Sequence, residues 1–268
     1  MKTALRIKFL YLALATISLC PSASSFALDG TATDLRVTHG PLLGRPGPDT
    51  MSLWVRTERP GAVKVFYGIQ KEVLDKEASI KTTSLEHDHT GIITLNDLEA
   101  NTRYYYRIAD HQLSGSFRTL PKSSDFRNPK GNPDGLFNFK FEFACGNNQN
   151  GGGNSAGPTV PVFDTLNERV RDEVHFAILN GDWLYEQRRD YSPKSWLHQV
   201  GLNSMKDAPH VVQKAPSIVG VWENYKVFLE RGKNLSEWHR HVPSFYTADD
   251  HELLNDIYGA GETGYVNR

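Results

Sequence analysis

The chain has 268 residues, of which 30 are basic and 31 acidic, giving a formal net charge of −1. That balance leaves no basic footprint for nucleic acid and no polybasic patch for a membrane surface. Only two cysteines are present, Cys20 and Cys145.

Residues 1–27 read as a secretory signal peptide. Lys2, Arg6 and Lys8 form a basic start, Phe9 to Leu19 an apolar core, and Ser25-Phe26-Ala27 a small-residue cleavage site. The apolar part is too short to span a bilayer. Bulky Leu19 weighs against a lipoprotein reading through Cys20. No later segment is long and apolar enough to cross a membrane, so a soluble chain, secreted or periplasmic, is expected. Cleavage leaves about 240 residues, enough for one large or two modest domains. Cys145 is then the sole thiol in an oxidising compartment and cannot form an intrachain disulfide. Intermolecular pairing, a reactive thiol and a small buried hydrophobe all stay open.

Residues 28–121 predict an N-terminal β-sandwich. Short alternating segments at 35–37, 51–56, 63–67, 89–95, 104–108 and 114–119 are separated by turn residues, a spacing typical of sandwiches. The run from Leu95 to Tyr104 looks like the tyrosine corner of fibronectin-type or immunoglobulin-like domains. Residues 122–136 are polar, rich in Pro and Gly, and read as a linker.

Residues 137–268 predict the first part of an α/β domain. Residues 137–143 alternate aromatic and polar side chains and form a strand ending at Cys145. Helical spacing follows over 162–174, then an apolar strand over 175–179. Helices are expected over 221–231 and 235–241, ended by Pro243, with Trp222, Tyr225, Phe228 and Leu229 in the core. A short strand at 244–248 leads into Asp249-Asp250-His251-Glu252. Asp249 is expected to cap a helix beginning near Glu252. His239 and His241 are expected to be solvated. The loop at 147–154 could hold phosphate through its backbone amides or simply be a loop.

Three strand ends thus carry Cys145, then Asp182 with Tyr185, then Asp250 with His251. In α/β sheets ligands bind at the C-terminal ends of strands. Thiolate and phenolate on one ion favour ferric iron, whereas carboxylates suit Ca²⁺, Mn²⁺ or Zn²⁺. His251 could give a proton to a leaving oxygen.

Phe143-Ala-Cys145, Gly181-Asp182-Trp-Leu-Tyr185-Glu186 and Asp249-Asp250-His251-Glu252-x-x-Asn255-Asp256 resemble successive motifs of the PhoD-like alkaline phosphatase/phosphodiesterase family, a branch of the calcineurin-like metallophosphoesterases. The 30–121 region, including Gly44 to Trp54, is similar to that family's N-terminal sandwich. The resemblance implies an exported enzyme that hydrolyses phosphomono- or diesters with a hydroxide held on a dinuclear site, iron plus calcium or a similar pair. Cys145 and Tyr185 would bind iron, Asp182 would bridge, Asp250 would ligate the second ion and His251 would assist catalysis.

One departure stands out. The family continues beyond the Asp-Asp-His-Glu motif and supplies further ligands from a later Gly-Asp-x-His segment, whereas this sequence stops at Arg268. Four protein ligands are few for two ions. A sheet lacking its second half should also show a bare edge and a bare apolar face. The expectation is a fragment, with a separate chain as one source of the missing half. The rivals are a non-catalytic remnant and a secreted binding module built on the sandwich.

Overall fold

The computed structural model describes residues 35–81, 85–108, 113–136, 139–149, 157–186 and 190–252. The expected signal peptide, residues 150–156 of the Gly/Asn-rich loop, Asn255 and Asp256 lie outside them.

Seven strands build the first part: β1 (Val37–Gly44), β2 (Met51–Thr57), β3 (Ala62–Gly68), β4 (Lys76–Lys81), β5 (Thr90–Leu95), β6 (Arg103–Ile108) and β7 (Ser114–Arg118). They form two antiparallel sheets, in the orders β1-β2-β5 and β4-β3-β6-β7. Side chains alternate in and out along β1, β5 and β6, as a strand with one buried face requires. The inward sets of both sheets share one core that includes Leu53, Val65, Ile93, Tyr104 and Phe117. Each such side chain contributes about 1.5–3 kcal/mol on burial. In the turn before β6 the Glu99 amide donates to the Tyr104 hydroxyl at 2.9 Å. The 122–136 stretch is irregular and pinned by paired backbone bonds between Asn128 and Asn132.

The second part has a three-stranded parallel sheet, β8 (Phe141–Ala144), β9 (Phe176–Asn180) and β10 (Ser244–Thr247), in the order β10-β9-β8. Its helices are α1 (Val162–Arg169), α2 (Pro193–Gln199), α3 (His210–Lys214), α4 (Ile218–Arg231) and α5 (Lys233–His239). On one face Ala177 and Leu179 pack with Phe163 of α1 and with Leu235 and Trp238 of α5. The other face carries the expected bare apolar row. Phe141, Phe143 and Phe245 are exposed, with Phe141 stacked on Phe176 and Phe245 edge-on to it. The gathered aromatic rings form a ladder against which no helix packs among the described residues.

Two expectations fail. His239 is fully buried beside Trp183 and Tyr246, and burial pushes its pKa down to about 3. His241 bonds Ser116 and Glu237 and is not a free surface group. The sandwich packs against α5 and turns this helical tail into interior. Tyr225, expected in the core, is exposed, whereas Phe228 is buried.

The seam between sandwich and helices holds a cluster of buried charges. Arg56 on β2 grips Asp88 through two hydrogen bonds, at 2.9 and 3.2 Å. Lys226 of α4 lies 3.5 Å from Asp88 and 3.0 Å from Glu223. Trp196 of α2 donates its indole N–H to Asp88. Burial raises the Asp88 pKa, but the Arg56 hydrogen bond and the Lys226 charge outweigh it and hold the carboxyl below the usual range. Every charge here has an opposite neighbour.

Candidate metal centre

The loop after β9 turns on two left-handed residues, Gly181 at φ 73° and Asp182 at φ 52°. A Cβ on Gly181 would sit 2.5 Å from the Cβ of Asp249, so only glycine lets the loops after β9 and β10 touch. Positive φ in a non-glycine residue is uncommon, though aspartate tolerates it better than most. Here it is over-determined by Glu252. That carboxylate accepts the amide hydrogens of Asp182, Trp183 and Leu184 and also that of Asp249, at 2.7 Å. Successive amides around one anion form a nest. The loop after β8 joins in: Gly146 donates to the Gly181 carbonyl and Asn147 to the Asp182 carbonyl, at 3.2 and 2.7 Å.

This framework brings Asp182, Asp250 and His251 together, with one potential ligand atom from each within 4.8 Å of the others. The Asp182 Oδ1 is buried and has no hydrogen-bond partner among the described residues. The Tyr185 hydroxyl donates to the other oxygen, Oδ2, at 3.5 Å. Burial raises the Asp182 pKa, and Asp250 and Asp249 add to it against the opposing pull of His251. Burial and then Asp182 push the Tyr185 phenol up to about 12. Negative charge is therefore crowded at this edge, and one carboxylate oxygen lacks a donor among the described residues. A cation fits that donor set.

Cys145 is exposed and close enough to Tyr185 to raise its pKa by charge. Its sulfur is not in the compact Asp182, Asp250 and His251 group. All five residues singled out by sequence thus lie at one sheet edge, with the carboxylates and the imidazole closest together. The Asp249 Oδ1 accepts the Asp250 amide at 3.0 Å; the helix it was expected to cap lies outside the described residues.

Sequence reading missed three supports. Glu252 ties the loops together, and its spacing from Asp249 is the one signal that could have found it, being that of a capping box. Glu186 accepts from His251 Nδ1 at 2.9 Å. Although burial lowers the His251 pKa, the Glu186 bond and the Asp182 and Asp250 charges outweigh it and raise the value. Asn224 of α4 donates to the Tyr185 carbonyl, a long-range contact with no local sequence signature. Asn147 is buried, and neither of its side-chain polar atoms has a partner among the described residues.

Carboxylates and an imidazole gathered at the C-terminal edge of a parallel sheet define an α/β class of fold with a group that could hold a cation at its strand ends. Comparison narrows the class. Residues 140–266 match the family of PhoD-like phosphatases, so the chain carries a PhoD-like phosphatase domain. Residues 34–125 match a separate family described as a domain of unknown function, DUF7800. A solved structure of PhoD aligns with TM-score 0.55 and 18% identity over 80% of this chain. The chain spans 39% of the length of that protein. The sensor domain of the anti-sigma factor RsgI4 from Pseudobacteroides cellulosolvens aligns over 34% of this chain and all of its own, at TM-score 0.25 and 15% identity. That score is too low to bear on the fold. No curated relative matches the sequence.

Proposed function

We propose that the chain is the sandwich and sheet portion of an exported, metal-dependent phosphoesterase that hydrolyses phosphomono- or diesters. The observation that carries this reading is the Asp182, Asp250 and His251 group with its orphaned Asp182 oxygen, placed within a PhoD-like domain. Export rests on the signal-like residues 1–27. The strand orders β1-β2-β5 and β4-β3-β6-β7 support reading the first part as a fibronectin-type sandwich, and the parallel sheet is read as one layer of a metallophosphoesterase fold.

Asp182 would bridge two cations, with Cys145 and Tyr185 on an iron and Asp250 on calcium or a similar ion. Such a pair neutralises phosphoryl charge and lowers the pKa of water. The protein groups do the rest. Glu186 holds His251 by Nδ1, and the ring's other nitrogen, Nε2, would carry a proton to the leaving ester oxygen. Tyr185 and the Glu252 nest hold Asp182 at its angle.

The test is elemental analysis of the purified chain from residue 28, alongside Cys145→Ala and Asp182→Ala, followed by phosphatase and phosphodiesterase assays. Iron with a second divalent ion, lost in both variants, is the expected result. Metal without turnover would reduce the reading to a binding module. Metal retained undiminished in Asp182→Ala would sink the bridging role.

A further inference from the structure

A second site lies at the other end of the parallel sheet. A cleft of about 720 Å³ opens between the β6–β7 hairpin of the sandwich and the C-terminal ends of α1 and α5. Arg171 and Asp172 follow α1 and precede β9, and His241 precedes β10. The cleft therefore faces the N-terminal ends of the strands, about one strand length (roughly 17 Å) from Asp182.

Five cations, Lys71, Arg103, Arg107, Arg171 and Arg240, line it against two carboxylates, Asp172 and Glu237, leaving a net charge of +3. The carboxylates are already shared. Asp172 takes a 2.9 Å bond from Arg103. Glu237 bonds Arg240 at 3.2 Å and His241 at 3.1 Å. Arg171 approaches both, but only to 3.8 Å, beyond hydrogen-bonding reach. Its side chain is half-buried and makes no hydrogen bond among the described residues. Its Nε and that of Arg240 are buried donors without an acceptor. Lys71 and Arg107 have no carboxylate partner among the described residues. Gly115 on the cleft wall leaves no room for a Cβ against Tyr106 and the Arg240 carbonyl, so both walls are held by direct contact. The Tyr106 hydroxyl donates to that carbonyl at 2.8 Å.

Buried guanidinium donors without acceptors are costly unless an acceptor arrives. A guanidinium fork suits the paired oxygens of a tetrahedral oxyanion. Net charge +3 in a concave site focuses field on a ligand carrying several negative charges. We propose that this cleft binds an oligophosphate, at a position separate from the carboxylate edge. Arg171 grips one phosphate group, and Lys71 and Arg107 at the rim meet the next.

The probe is inorganic tripolyphosphate titrated calorimetrically into the full chain in metal-depleted buffer, where the carboxylate edge cannot take up an anion. Saturable one-to-one binding is expected, weakening as salt rises. Arg171→Gln should weaken it about tenfold and the exposed Arg107→Gln about threefold, each with an unchanged circular dichroism spectrum. Asp182→Asn should leave it intact. Equal affinity in Arg107→Gln and in a folded Arg171→Gln would overturn the site. Citrate bound as tightly as tripolyphosphate would overturn the phosphate assignment.

Discussion

Among the described residues, a buried cluster of ionisable groups at the seam and a half-buried one at the sheet edge are built in opposite ways. At the seam, Asp88 is enclosed by Arg56, Lys226 and the Trp196 indole, so its charge is answered within the protein. At the sheet edge, Asp182 and Asp250 crowd together, and the Asp182 Oδ1 has no hydrogen-bond donor among the described residues. Closed clusters of the first kind fix how parts pack. Open clusters of the second kind leave charge unanswered within the protein, which a proton or a bound cation would offset. Charge count alone does not tell the two apart; completeness does.

The sharpest way to break the contrast is Asp182→Ala. Metal affinity should fall by more than the roughly 100-fold expected for losing a mere supporting group, with turnover abolished. The melting temperature of the metal-free protein should change little, because losing a repelling carboxylate offsets alanine's poorer tolerance of the left-handed φ at this position. A metal-free protein that melts markedly lower would make Asp182 structural. Asp88→Ala should do the reverse. It strands Arg56 and Lys226 in the interior and should cost about 3–5 kcal/mol in denaturant unfolding, with metal content per folded molecule unchanged.

Histidine titration separates the clusters by pH. His39 at the seam bonds Thr38 and Glu230. Burial, then the Arg56 and Lys226 charges, lower its pKa to about 4, against the opposing pull of Asp88 and Glu223. The Glu230 contact is thus a neutral hydrogen bond and not an ion pair at ordinary pH. A depressed value means the unfolded chain protonates first. Stability is full above the unfolded value of 6.5 and falls as pH drops toward 4, by roughly 3 kcal/mol across that window. His39→Gln should flatten that part of the stability–pH curve, and an unaltered slope would refute the assignment. The smallest effect is expected for Glu186→Gln. It should leave metal content near wild type while lowering turnover about tenfold and shifting the acidic partner of the pH–rate profile downward. An unchanged profile would remove Glu186 from His251's support.

Much of this was legible in the chain itself, for reasons that differ by region. The sandwich strands announce themselves through two-residue alternation, and Tyr104 through the turn before it, because both signals are local. Asp182, Tyr185, Asp250 and His251 could be placed at one edge because strands 176–180 and 244–247 end beside them. Cys145 was placed at that edge by the same logic, but which ligand atoms sit closest together depends on loop geometry that spacing does not encode. His239 was misjudged because its burial comes from packing with Trp183 and Tyr246, far away or across a proline. Arg171 and Arg240 gave no signal: their cleft exists only once the sandwich is seated against α1 and α5.

The nest around Glu252 has a consequence for how the site opens. One carboxylate holds amides from residues 182, 183, 184 and 249, so the two loops are a single fastening with one clasp. Their deuterium uptake should rise and fall together, at one common rate, and Glu252→Gln should release all four positions at once. A laboratory graft of either loop onto another scaffold would have to carry its counterpart along, since neither keeps its shape alone.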